Sequence, residues 1–169
     1  MATLIEQLAR HRVRLGFVAA AAAFVLARPT PRSLAIGAAI TLVGEALRIW
    51  AAGHLEKGRE VTASGPYRLT RHPLYVGSSI IGAGFAVASA SIVVAALIAA
   101  YLALTIGAAI RREEMHLTEK FGAAYPEYRE GRAPEAARRF SVERALRNRE
   151  YRAVLGLAAA LALLAWKTL

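Results

Sequence analysis

Between Ile92 and Ile110 the chain carries no charged residue. This run constrains the fold more than any other feature, because a bilayer core of about 30 Å is crossed by roughly 20 apolar residues of helix. In hydrocarbon, backbone polar groups must be paired within the chain, which leaves helices or closed barrels. Four further apolar runs, Val13 to Ala27, Ser33 to Gly53, Tyr75 to Ser89 and Ala153 to Trp166, accompany it. The runs at 33–53 and 92–110 approach spanning length; the other three are short, so they tilt less, borrow flanking residues or span incompletely. A hydrophobic content of 56% and a mean hydropathy of +0.37 exceed those of an ordinary soluble domain. The expectation is an all-α integral membrane protein with about five transmembrane helices, forming one membrane domain over residues 1–169. The first run follows Arg10-His11-Arg12-Val13-Arg14 and resembles the apolar core of a signal peptide. Because more apolar segments follow, it reads as the first membrane helix.

The net charge of +10 raises nucleic acid as a partner, but the positions of the basic residues answer to a membrane instead. Arg10, Arg12 and Arg14 precede the first run, Lys57, Arg59, Arg68 and Arg71 lie between the second and third, and eleven basic residues lie from Arg111 to Arg152. The other side receives Arg28, Arg32 and Lys167, with Arg48 inside a run. This bias places the N-terminus and both long loops in the cytoplasm and the C-terminus on the opposite side. No nucleic-acid partner is expected. The absence of cysteine excludes disulfides and thiol chemistry, and His11, His54, His72 and His116 lack metal-ligand spacing, so no metal site is expected.

Alanine dominates the apolar runs, and Gly37, Gly44, Gly77, Gly82, Gly84 and Gly107 allow close approach of helices. A tight turn at Ser89 to Ser91 makes residues of about 75–110 a helical hairpin. Its two open ends meet at one membrane face, so Arg71 to Gly77 should lie near Arg111-Arg112-Glu113-Glu114. Residues 134–151 read either as a basic helix on an anionic leaflet or as a solvated linker leading to the last apolar segment, about 134–167.

Pro73 suits the first turn of a helix, and His72, forced out of the helical region by the proline, suits its cap. The helix N-terminus favours an anion, which Arg71 can grip through two parallel hydrogen bonds. Across the hairpin, Glu113 and Glu114 bring negative charge to what reads as a helix end, a conflict with the macrodipole that Arg111 and Arg112 partly relieve. With Tyr67 and Tyr75, and Tyr125 and Tyr128 as further candidates, the pocket suits a zwitterionic ligand with a flat ring. S-adenosylmethionine is one such ligand among several. Glu45 and Arg48 share a helical face and pair inside the bundle, as structure or to orient a substrate carboxylate or phosphate. Trp50 and His54 read as interfacial anchors.

The segment GPYRLTRHPLYVG (65–77), followed by RREEMHLTEKFGAAYPEYRE (111–130), resembles the isoprenylcysteine carboxyl methyltransferase family, related to membrane phospholipid methyltransferases. The likeness covers about residues 45–130, which would form the methyltransferase core. It implies that cytoplasmic loops hold S-adenosylmethionine through Tyr67, Arg71, His72, Pro73, Tyr75, Gly77, Glu113 and Glu114. Glu114 and Arg48 become the candidate catalytic residues, and a lipophilic or prenylated small molecule, drawn from among membrane lipids, becomes the partner. The implied reaction is methyl transfer at the cytoplasmic membrane face, resembling isoprenylcysteine carboxyl O-methylation. Phospholipids or small lipophilic amines and thiols are alternative acceptors, and a non-catalytic membrane scaffold or transporter subunit is the competing class.

Overall fold

The computed structural model describes residue 18, residues 20–132 and residues 138–169. Regular structure among them is entirely helical: helical residues 20–26, then α1 (Pro31–His54), a 3-10 turn (Gly65–Arg68), α2 (Pro73–Ser89), α3 (Ile92–Phe121), α4 (Ala124–Arg129), α5 (Val142–Arg147) and α6 (Tyr151–Trp166). By length and composition α1 and α3 suffice to cross a membrane, whereas α2 and α6 are apolar but shorter. Of the first expected span, 13–27, residues 13–17 and 19 lie outside the described residues, as do residues 134–137 of the basic segment.

Helix α1 begins at a reciprocal cap: the Ser33 amide donates to Thr30 Oγ1 at 3.0 Å and the Thr30 amide donates to Ser33 Oγ at 2.9 Å. It packs along α2, where small residues let the backbones touch. A Cβ on Gly44 would lie 2.8 Å from the Gly77 carbonyl oxygen, and one on Gly37 would lie 2.4 Å from that of Gly84. Gly82 admits the Leu102 side chain of α3 in the same way. Gly107 differs from expectation, since nothing lies within 4 Å of its Cβ position.

Pro73 starts α2 as its sequence predicts, with the His72 carbonyl accepting from the Val76 amide at 3.0 Å. The hairpin closes through Ala90, held at φ 47°, and Ser91, whose side chain caps α3. Helix α3 then overruns the apolar stretch and continues to Phe121. Glu113 and Glu114 therefore sit inside the helix, and the expected conflict with its C-terminal dipole does not arise. Lys120 occupies the last turn instead.

The chain after residue 138 is fastened to the end of α1. Helix α5 is six residues long and its segment caps α1. Arg144 Nε donates to the Gly53 carbonyl at 2.8 Å, Asn148 Nδ2 donates to those of Ala52 and Leu55 at 2.9 Å each, and the Ser141 amide donates to Gly53 at 3.1 Å. These are the carbonyls a helix leaves unpaired at its end. After α5 the chain reverses through a Schellman turn: the Glu150 amide donates to Ala145 at 3.1 Å and that of Arg149 to Leu146 at 2.9 Å. Arg149 takes φ 62° there, a conformation that favours glycine. Helix α6 returns antiparallel to α1, and at its end Lys167 Nζ donates to the carbonyls of Phe24 and Ala27 at 2.6 and 2.7 Å. His54 is also not an interfacial anchor. It is buried, its Nδ1 lies 3.1 Å from Ser64 Oγ, and its ring fills the space that glycine leaves at position 65.

Candidate functional site

A cavity of about 660 Å³ lies where α1 ends, α2 begins and α3 leaves its apolar stretch. One wall is the loop from Leu55 to Thr62. The opposite walls are Tyr67, Arg71, His72, Pro73 and Tyr75, then Arg112, Glu113, His116 and Phe121 of α3, and Tyr125 and Tyr128 of α4. Arg48 reaches it from α1.

The hairpin brings together side chains 42 positions apart: His72 Nε2 lies 3.1 Å from Glu114 Oε1. Arg71 Nη1 also meets Glu114 Oε1 at 3.1 Å. His72 thus begins α2 with its backbone while its ring turns to α3, and it makes no side-chain cap. Tyr75 stacks obliquely on the His72 ring at 5.8 Å. Two carboxylates divide their work, with Glu114 bound to Arg71 and His72 and Glu113 bordering the cavity.

Helix α4 closes the site because the Tyr128 hydroxyl donates to the Tyr67 carbonyl at 2.6 Å. Burial pushes the Tyr128 phenol up to about 12, and burial with the nearby Glu114 carboxylate does the same to Tyr125. Tyr67 is raised further, chiefly by burial and then by Glu113. All three are therefore neutral hydroxyls near pH 7, able to donate. The Tyr125 hydroxyl is buried and makes no hydrogen bond of ordinary geometry. A buried donor beside a cavity whose hydrogen bond is poorly formed is available to an acceptor placed there.

Arg48 has partners that sequence spacing did not indicate. Its Nε donates to Glu150 Oε1 at 2.7 Å, while Glu45, three residues away on the same helix, is 3.8 Å distant. Its Nη1 donates to Ser78 Oγ at 2.6 Å. Gly77 does not border the cavity. A Cβ there would lie 2.5 Å from Arg48 Cγ, so this glycine makes room for the arginine stem. The loop at 55–62 also escaped sequence reading, although its Glu-Lys-Gly-Arg-Glu run and the φ of 72° at Gly58 mark a turn at the same end of the bundle. Its acids are tied to the C-terminal segment, Glu60 to Arg138 at 2.6 Å and Glu56 to Arg147 at 3.4 Å.

Among the described residues no group of three or more His, Cys, Asp or Glu side chains is arranged to hold a metal ion. No solved structure matches the chain. It is 35% identical over 97 residues to the cobalt-zinc-cadmium resistance protein CzcN of Cupriavidus metallidurans, and 35% identical over 88 residues to the nickel-cobalt-cadmium resistance protein NccN of Alcaligenes xylosoxydans xylosoxydans. These alignments take in 56% and 51% of this chain but only 42% and 40% of the relatives' own lengths. Residues 16–124 match the model of the phospholipid methyltransferase family, a stretch that includes both helices of the hairpin and the His72–Glu114 contact. The chain belongs to the phospholipid methyltransferase family, within the superfamily that also holds the isoprenylcysteine methyltransferases.

Proposed function

We propose that this chain is an integral membrane methyltransferase that uses S-adenosylmethionine and modifies a lipophilic acceptor at the cytoplasmic face. The observation that carries this reading is the joining of Arg71 and His72 to Glu114 at 3.1 Å beside the cavity. The residues fit the cofactor chemically. Arg71 and the start of α2 suit its carboxylate, Glu113 suits its ammonium, Tyr67 and Tyr75 offer ring faces, and the Tyr125 hydroxyl offers a donor. A volume of about 660 Å³ lies within the range of small-molecule sites. When bound, S-adenosylmethionine supplies an electrophilic methyl group on a sulfonium.

The chain's own work is to bind, orient and exclude water. Pro73 and His72 fix the helix start, Glu114 locks the His72 ring and Arg71 across the hairpin, and Gly77 lets α1 approach so that Arg48 faces the cavity. Arg48 orients an anionic part of the acceptor. A carboxylate acceptor is ionised near neutral pH and needs only positioning, whereas an amine must lose a proton, for which Glu113, Glu114 and His72 are the bases at hand. An isoprenylcysteine-like carboxylate and a phospholipid headgroup are the two acceptor classes. Transfer of label from S-adenosylmethionine to a prenylcysteine analogue or to phosphatidylethanolamine by the purified protein separates them. Calorimetry tests the cofactor itself: Glu114→Gln and His72→Ala should each weaken S-adenosylmethionine binding about tenfold, as loss of a charge-assisted hydrogen bond does, with helicity unchanged. No binding to the wild-type protein in lipid would overturn the reading, and unaltered affinity in both variants would overturn the site.

A further inference from the structure

Residues 138–169 lie beyond the stretch that matches the family, yet one of them binds an arginine that lines the cavity. Glu150 is 7% exposed and its Oε1 accepts from Arg48 Nε at 2.7 Å. Glu45 competes for the same guanidinium from 3.8 Å, and both of its buried oxygens lack a hydrogen bond. Arg48 therefore has two carboxylates to choose between. Glu45 would draw it inward along α1, whereas Glu150, with Ser78 at 2.6 Å and the Leu74 carbonyl at 3.4 Å, holds it at the cavity. Among the described residues its Nη2 makes no hydrogen bond. Planar guanidinium braced on one edge presents its remaining donors in a fixed direction, the geometry that selects carboxylate or phosphate. Arg48 also lies six residues, about 9 Å, inside the end of α1.

We propose that Glu150 is a positioning residue of this site: it outcompetes Glu45 for Arg48 and so keeps the guanidinium aimed at the cavity, where it takes the anionic group, carboxylate or phosphate, of the lipophilic acceptor. This rests on the methyltransferase reading for the identity of the acceptor, but not for the binding it describes. The strain accepted at Arg149, with φ 62° immediately before Glu150, belongs to the same device, since that turn delivers the carboxylate.

The test measures binding of three amphiphiles to the full-length protein in one detergent: dodecanoate, dodecyl phosphate and neutral dodecanol. Wild type should prefer the anions over dodecanol by about tenfold, as a charge-assisted contact implies. Comparing variants cancels partition into the micelle. Glu150→Gln should abolish most of that preference and Glu150→Asp should retain part of it. Adding Glu45→Gln to Glu150→Gln should restore it, because Arg48 then has no carboxylate to turn toward. Whichever anion binds more tightly identifies the acceptor's group. Absence of a preference in wild type, its survival in Glu150→Gln, or its failure to return in the double variant would overturn the proposal. If Glu150→Gln does not fold, Ser78→Ala removes the other brace and must weaken the preference. S-adenosylmethionine binding, followed in parallel, fails separately if only the methyltransferase reading is wrong.

Discussion

At the scale of single residues, the site is defined by which polar atoms are paired and which are not. Glu114 is engaged by both Arg71 and His72, while the buried Tyr125 hydroxyl faces the same carboxylate without a hydrogen bond of ordinary geometry. Removing that hydroxyl separates stability from binding. Tyr125→Phe deletes a buried hydroxyl that makes no well-formed hydrogen bond, so thermal unfolding should show unchanged stability or a gain of up to about 1 kcal/mol. The same variant should bind S-adenosylmethionine more weakly, since the donor proposed to meet it is gone. A loss of stability would show instead that the hydroxyl serves the fold. Arg149 gives a converse case. Its φ of 62° costs a side-chain-bearing residue roughly 1 kcal/mol, so Arg149→Gly should raise the unfolding midpoint by a few degrees, readable by thermal melting in detergent.

At the scale of elements, the contact between α1 and α2 sets the depth of the site, because Gly77 and Gly44 bring two backbones together just below Arg48. Gly77→Ala would place a methyl 2.5 Å from Arg48 Cγ and 2.8 Å from the Gly44 carbonyl. It should destabilise by about 1–3 kcal/mol as overpacking does, and it should displace Arg48, so denaturant or thermal unfolding and anion binding change together. Much of this level was legible in the sequence. Pro73 announces a helix start because its ring fixes φ, and the polar pair flanking Ala90 announces a turn, so hairpin geometry alone brought Arg71 and His72 to Glu114. The end of α3 was not legible. Arg111 to Glu114 looks like the close of an apolar helix, but hydropathy reports where a helix leaves apolar surroundings and not where it stops. The seat of α5 was equally hidden, since Arg144 and Asn148 bind the carbonyls of Ala52, Gly53 and Leu55, and a carbonyl acceptor is the same whichever residue carries it. Glu150 was missed for a related reason: the nearer acid, Glu45, satisfies helical spacing, and only the return of α6 along α1 shows the better partner.

At the scale of the whole molecule, the described residues form a bundle with two unlike ends. One holds the cavity, its charged loop and α4; the other joins Arg28 to Ser89 through a 2.8 Å backbone hydrogen bond and receives Lys167. The proposed orientation puts the first end in the cytoplasm. The sequence has no cysteine, so single replacements report without background. Leu69, 79% exposed beside the cavity, and Leu169, fully exposed at the other end, are suitable positions. In sealed vesicles a membrane-impermeant thiol reagent should label Leu69→Cys from the cytoplasmic side only and Leu169→Cys from the opposite side only. Labelling of both from one side would exclude a spanning α6.

The order in which this bundle can be completed follows from where its last piece sits. The carbonyl end of α1, the loop over the cavity and Arg48 all receive partners from residues 138–150. These residues leave the ribosome after α1, α2 and α3, so the earlier helices must wait with an uncapped end and an unbraced arginine. A nascent chain halted at Arg132 would contain the family-matched stretch and Glu114, yet lack the fastening that gives the site its final shape. Maturation of the pocket is thereby tied to synthesis of residues 138–150.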